Sequence, residues 1–137
     1  MYKSLLLAFS LLFLGSCYSL SLAPADPASS TAVNNIQIEY GSDLDGKKVA
    51  VLDRYKMKDV MAQALRQSFT MGGDTMLTVT ITQFRTGGYG PTRMHAVAEL
   101  TDTSGAVIKT AESDSTSMMQ GVRGVGQEVV NEIAAGI

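Results

Sequence analysis

Between Met57 and Phe69 the apolar residues Met57, Val60, Met61, Ala64, Leu65 and Phe69 fall at i, i+3, i+4, i+7, i+8 and i+12, while Lys58, Asp59, Gln63, Arg66 and Gln67 take the other side. That is one stripe of a 3.6-residue helix, and Gly72-Gly73 is expected to supply its left-handed stop. The period then drops to two: through Met76–Arg85 (MLTVTITQFR), Leu77, Val79 and Ile81 alternate with threonines, the pattern of a strand with one core face. A helix with one apolar stripe and a strand with one apolar face are each half of a core. Such a chain builds a layer of helix against a layer of sheet.

The flanking segments extend this reading. Ile36, Ile38 and Tyr40 alternate with Gln37 and Glu39, a strand ended by Gly41-Ser42-Asp43. After the Asp45-Gly46 turn, Lys48–Leu52 (KVAVL) is short, apolar and β-branched, and reads as a second strand buried on both faces. Arg93–Asp102 and Ala106–Asp114 form a hairpin across Asp102-Thr103-Ser104-Gly105. Met118, Val122, Val125, Val129 and Ile133 mark a last amphipathic helix. Gly121, Gly124 and Gly126 each cost about 1 kcal/mol there against alanine, so its regular part is expected only from near Gln127. The order β-β-α-β-β-β-α describes an α+β two-layer sandwich, with a mostly antiparallel sheet and two helices on one face.

The amino terminus has a different character. Lys3 precedes the ten-residue apolar run Leu5–Leu14, and the small pair Gly15-Ser16 precedes Cys17, the layout of a secretory signal over residues 1–16. The run is well short of the roughly 20 apolar residues that span a bilayer. Leu14-Gly15-Ser16-Cys17 resembles the bacterial lipobox: a branched apolar residue, two small residues beside the scissile bond, and the thiol that takes the lipid. The resemblance implies cleavage before Cys17 and its acylation, which gives a stable anchor because several acyl chains bury about 0.8 kcal/mol per CH₂. The next residue is Tyr18, where the inner-membrane retention signal of enteric bacteria has aspartate. By the same resemblance the destination is the outer membrane, with the domain facing the periplasm. Tyr18–Asn35 holds two of the three prolines and a single charge, Asp26. Residues 17–35 are therefore expected to be a lipidated cysteine with a flexible tether reaching on the order of 55–60 Å, and residues 36–137 a single domain.

Removing 16 residues from 137 leaves 121, room for one domain, and removing Lys3 leaves 10 basic residues against 13 acidic, a formal charge of −3. That balance offers no basic surplus for nucleic acid. One cysteine, one histidine and no tryptophan exclude an internal disulfide, a cysteine-rich zinc site and a multi-histidine metal site. With Cys17 acylated, no thiol remains for nucleophilic or redox work.

Over residues 47–137 the chain resembles small bacterial envelope lipoproteins of unknown function. The residues that carry this are KKVAVL, Leu65 with Phe69, the loop Thr86-Gly87-Gly88-Tyr89-Gly90 with Arg93, Asp102 with Gly105, and the final helix. The resemblance implies an α+β fold and an envelope location, and no activity.

The remaining constellations are weak as chemistry. The glycine-rich loop Gly87–Pro91 joins two strands and opens no helix, so it lacks the context of a phosphate loop. Tyr89 on that loop, with Arg85 and Arg93 nearby, is the candidate contact patch for a partner. Asp43-Leu44-Asp45-Gly46 has the alternate carboxylates of a calcium loop, but with Gly46 at position six an acid is needed where Leu52 stands. Seven methionines besides Met1 raise copper carriage, yet most sit in core patterns, and only Met118-Met119 is expected to be exposed. His95 and Glu99 share a strand face, with no nucleophile motif beside them. The sequence thus leads to a non-catalytic lipoprotein without metal or cofactor, anchored in the membrane through Cys17. It would dock an envelope protein or a copy of itself through a sheet edge or the Tyr89 loop. The alternative is a carrier or sensor of a small apolar or lipidic ligand, which requires a concave apolar pocket.

Overall fold

The computed structural model describes residues 20–137; the signal peptide over 1–16 and the lipidation site Cys17 lie outside the described residues. The elements are β1 (Ala32–Tyr40), α1 (Gly46–Arg54), α2 (Met57–Ser68), β2 (Thr70–Arg85), β3 (Thr92–Thr101), β4 (Val107–Ser117) and α3 (Gly121–Gly136). The four strands lie in the order β1-β2-β3-β4. β1 and β2 are parallel, while β2–β3 and β3–β4 are antiparallel. The fold is α+β with a mostly antiparallel sheet, as the two periodicities require, and it carries three helices rather than two.

The third helix is the segment read as a second strand. Lys48–Leu52 belongs to α1, whose N-cap Asp45 accepts a hydrogen bond from the Lys48 N–H at 2.9 Å. Five apolar-rich residues fit either period, and the cap decides between them. Topology agrees, because a parallel β1–β2 pair needs a long crossover between its strands, here supplied by α1 and α2. The helix at 57–68 matches its stripe, but Gly72 and Gly73 do not stop it. They lie inside β2 with positive φ, where pairing slips from Val33↔Met71 to Asn35↔Met76, so these glycines form a bulge.

The core lies between the helices and one sheet face. Registers Ile36↔Leu77, Ile38↔Val79, Val79↔Ala98 and Ile81↔Ala96 align the inward side chains. These meet Met57, Met61 and Leu65 of α2 and Val125, Val129 and Ile133 of α3, all without solvent access. Gln37, Glu39, Thr78, Thr80, Val97, Glu99, Thr110 and Glu112 take the other sheet face and are exposed or half-buried.

α3 is helical from Gly121, and the stretch expected to be a loose tether is packed onto the domain. Leu22 and Ala25 are buried, and Ala32–Asn35 already belong to β1. Both Leu22 methyls would lie 3.4 Å from a Cβ added at Gly126, with the Met57 methyl at 3.5 Å. The glycine that weakens the helix in isolation is thus the seat of the leucine. Along the same strap the Ala25 N–H donates to Ser68 Oγ (2.8 Å), the Ser29 N–H to the Ser68 carbonyl (2.8 Å), and Thr31 Oγ1 to the Ile137 carbonyl (2.8 Å). The packed domain therefore includes the strap from Leu20 to Asn35 and does not begin at Ile36.

Candidate interaction site

The β2–β3 connection, the loop before α1 and the β4–α3 turn meet at one end of the sandwich, because Arg85 pairs with Arg93, Thr92 pairs with Ser117, and β1 runs parallel to β2. Gly87 and Gly88 take φ of +85° and +71°, conformations that side chains other than glycine's resist. Thr86 and Thr92 close the loop's base through their hydroxyls (3.2 Å). Gly90 passes so close to Arg85 that an added Cβ would lie 3.1 Å from its Nη2. Tyr89, between these glycines, is fully exposed. Met118 and Met119, 74% and 95% exposed, stand at the same end, beside the loop expected to carry the contact patch.

The two arginines expected beside Tyr89 are cross-strand partners, and like charges directly opposed repel. Arg93 is neutralised: its Nε and Nη2 donate to the two carboxylate oxygens of Asp114 at 3.0 and 2.8 Å. That hydrogen bond raises the arginine's pKa and holds the Asp114 carboxyl below the usual carboxylate range. Arg85 has no ion pair among the described residues and is the free cation of the pair. It borders a groove of about 320 Å³ lined by Asp43, Leu44, Lys48, Thr82, Gln83, Phe84 and Arg93. A second hollow of about 270 Å³ adds Lys47 and Val51. Reading KVAVL as a strand hid this contribution of Lys47 and Lys48; the available signal was Asp45, an N-cap residue three places before Lys48.

His95 does not meet Glu99. Its Nε2 donates to Glu112 Oε1 on β4, and its Nδ1 lies against Thr82 Oγ1, both at 2.5 Å. Thr82 is the extra residue of the bulge between Ile81 and Gln83. The His95–Glu112 and Arg93–Asp114 pairs have the same diagonal offset, since His95 faces Asp114 and Arg93 faces Thr116 in register. A reading along one strand finds same-strand neighbours and misses diagonal ones. Both pairs lie on the outer sheet face, Arg93–Asp114 half open to solvent and His95 largely covered beside an exposed Glu112, and among the described residues no group of three or more histidines, cysteines or carboxylates is arranged to hold a metal. No described helix is long and apolar enough to cross a membrane. The calcium-like turn is used by Asp45 as the α1 cap.

No protein-family model matches the chain, and no curated protein matches its sequence. Two solved structures have a similar fold. The PelC dodecamer from Paraburkholderia phytofirmans is 17% identical, with 83% of this chain and 94% of that chain covered and a TM-score of 0.50. Protein XCC0632 from Xanthomonas campestris, of the DUF330 family, is 10% identical, with 87% of each chain covered and a TM-score of 0.51. At these identities the likeness is one of fold.

Proposed function

We propose that the chain is a non-catalytic lipoprotein of the outer membrane, anchored through Cys17, whose domain faces the periplasm and acts as an assembly module of the cell envelope. The observation that carries this reading is the β4 edge of the sheet, the longer of its two edge strands. Among the described residues β4 pairs only with β3; it runs for eleven residues from Val107 to Ser117 and is exposed along most of its length. Such a strand offers unpaired backbone donors and acceptors to another chain. Self-association is the form favoured, and the similarly folded PelC, itself a dodecamer, supports it. Docking is favoured over carriage of an apolar ligand because charged groups border both hollows, Asp43, Lys48, Arg85 and Arg93 around Leu44 and Phe84 in one and Asp45, Lys47, Lys48 and Arg85 around Val51 in the other, a poor surface for a lipidic molecule.

The test is in-cell photo-crosslinking from Thr110 on β4, with a Cys17→Ser chain beside it. The reading expects a ladder of self-crosslinked species, or one envelope protein in near-equal amount, lost when the anchor is removed. An intact anchor with no crosslink from β4 contradicts it.

A further inference from the structure

The strap after the anchor runs in step with α3. The Ser21 carbonyl accepts from Arg123 Nε (3.4 Å), Ala23 exchanges hydrogen bonds with the Gln127 amide (2.7 and 2.9 Å), and Thr31 reaches Ile137. Two residues of extended chain advance about 6.6 Å and four residues of helix about 6 Å, so from Ser21 to Ala23 the strap keeps pace with the turn from Arg123 to Gln127. Followed back toward the amino terminus, the strap therefore reaches the start of α3 at Leu20. That is the end of the domain bearing Tyr89, Met118 and Met119. Only three residue steps separate Leu20 from Cys17, a span of at most about 11 Å. A lipid on Cys17 holds this end of the sandwich at the membrane surface, in place of a domain floating on a long tether.

We infer that this end is a second membrane contact, in which Met118, Met119 and Tyr89 enter the interface of a phospholipid bilayer. The inference rests on the lipid-anchor reading. The side chains suit that depth. Methionine is unbranched and flexible, and tyrosine places an apolar ring below a polar tip at the headgroup level. All three are exposed, whereas the core methionines Met57, Met61 and Met94 have no solvent access. The charge is compatible: Lys47, Lys48 and Arg85 border the hollows at this end, with Asp43 and Asp45 beside them, and Arg123 lies on the first turn of α3; these four cations make no ion pair among the described residues. Cations beside an apolar tip meet phosphate oxygens while the tip enters the acyl boundary, about 5–10 Å deep for shallow interfacial elements. The open β4 edge stays free for protein contacts.

The lipidated full-length mature protein is reconstituted into vesicles of phosphatidylethanolamine and phosphatidylglycerol. With Cys17 acylated, single substitutions Tyr89→Cys, Met119→Cys and Ile108→Cys each give one labelling site, the last at the opposite end of β4. An environment-sensitive fluorophore on these sites is read with a lipid spin-labelled near the headgroup. The expected result is a blue shift and loss of most emission at positions 89 and 119, with neither at 108. Equal emission at all three positions in protein that floats with the vesicles overturns the inference and leaves the anchor standing. Shielding at 89 and 119 without quenching, with copies crosslinked through position 119, assigns the face to a second copy and overturns it too. Protein that does not float with the vesicles sinks the anchor reading, and the inference with it.

Discussion

The strap from Leu20 to Thr31 makes a prediction that a tether does not. Ser68 Oγ has no solvent access and accepts the Ala25 N–H at 2.8 Å, at a residue itself only 6% exposed. Ser68→Ala keeps the packing and leaves that N–H buried without a partner, a loss of about 1–3 kcal/mol. Ser68 also donates to the Ala64 carbonyl (2.7 Å), a contact within α2 that is lost whatever happens at Ala25. Ala25→Pro removes the donor instead, since proline has no N–H. A thermal unfolding cycle on chains without lipid, monitored by circular dichroism, separates the two effects. Residues 20–137 amount to 118, so at about 2.1 cal/mol/K per residue each kcal/mol shifts the midpoint by about 4 °C. Ser68→Ala alone should lower the midpoint by about 4–12 °C, and much less in the Ala25→Pro background, a coupling of about 1–2 kcal/mol. If Ser68→Ala costs the same in both backgrounds to within about 0.5 kcal/mol, the strap is not bound and the short reach from membrane to domain loses its basis.

Other outcomes follow from single contacts. Gly136→Ala places a Cβ 2.8 Å from the Ala111 Cβ, a contact with little room to give, so unfolding measurements should show a loss of about 1–3 kcal/mol by overpacking. Glu128 lies one turn before Glu132 on α3, and burial followed by the hydrogen bond and charge of that neighbour raises its pKa. A raised folded pKa means stability present at low pH and lost as pH rises through that value. Glu128→Gln should therefore add the roughly 0.2–0.5 kcal/mol of a like-charge helix pair at neutral pH, a midpoint rise of about 1–2 °C, with no gain in acid. For Asp102, hydrogen bonds led by the one from the Ser104 hydroxyl lower the pKa, so it contributes stability above its unfolded pKa that is lost as pH falls through its folded value. Asp102→Asn should lower the midpoint at neutral pH and flatten its decline in acid, as followed by thermal melts across pH.

The parts of the fold legible in the sequence are those whose period is long enough to be unambiguous: the α2 stripe, the alternation of β2 and the β3–β4 hairpin. KVAVL is too short for its period to decide, and its helical state follows from the Asp45 cap and from the crossover that a parallel β1–β2 pair requires. The strap has no period at all. Leu22 is buried because Gly126, a hundred residues away, leaves a hollow for it, so a leucine among prolines and a glycine in a helix are two halves of one contact. The candidate site divides the same way. Exposure of Tyr89 follows from its glycine neighbours and that of Met119 from its place outside the helical stripe, whereas Met118, expected to open that stripe, is exposed because α3 begins only at Gly121. The pairing of Arg93 with Asp114 and of His95 with Glu112 depends on strand register, which one strand alone does not reveal.

The proposed anchoring at Cys17 is tested most directly by the intact mass of the chain extracted from membranes. The account predicts a polypeptide beginning at residue 17 whose mass exceeds that of residues 17–137 by a thioether-linked diacylglyceryl group and an amide-linked acyl group, each replacing one hydrogen. A chain that begins elsewhere, or one that begins at residue 17 with an unmodified thiol, contradicts it.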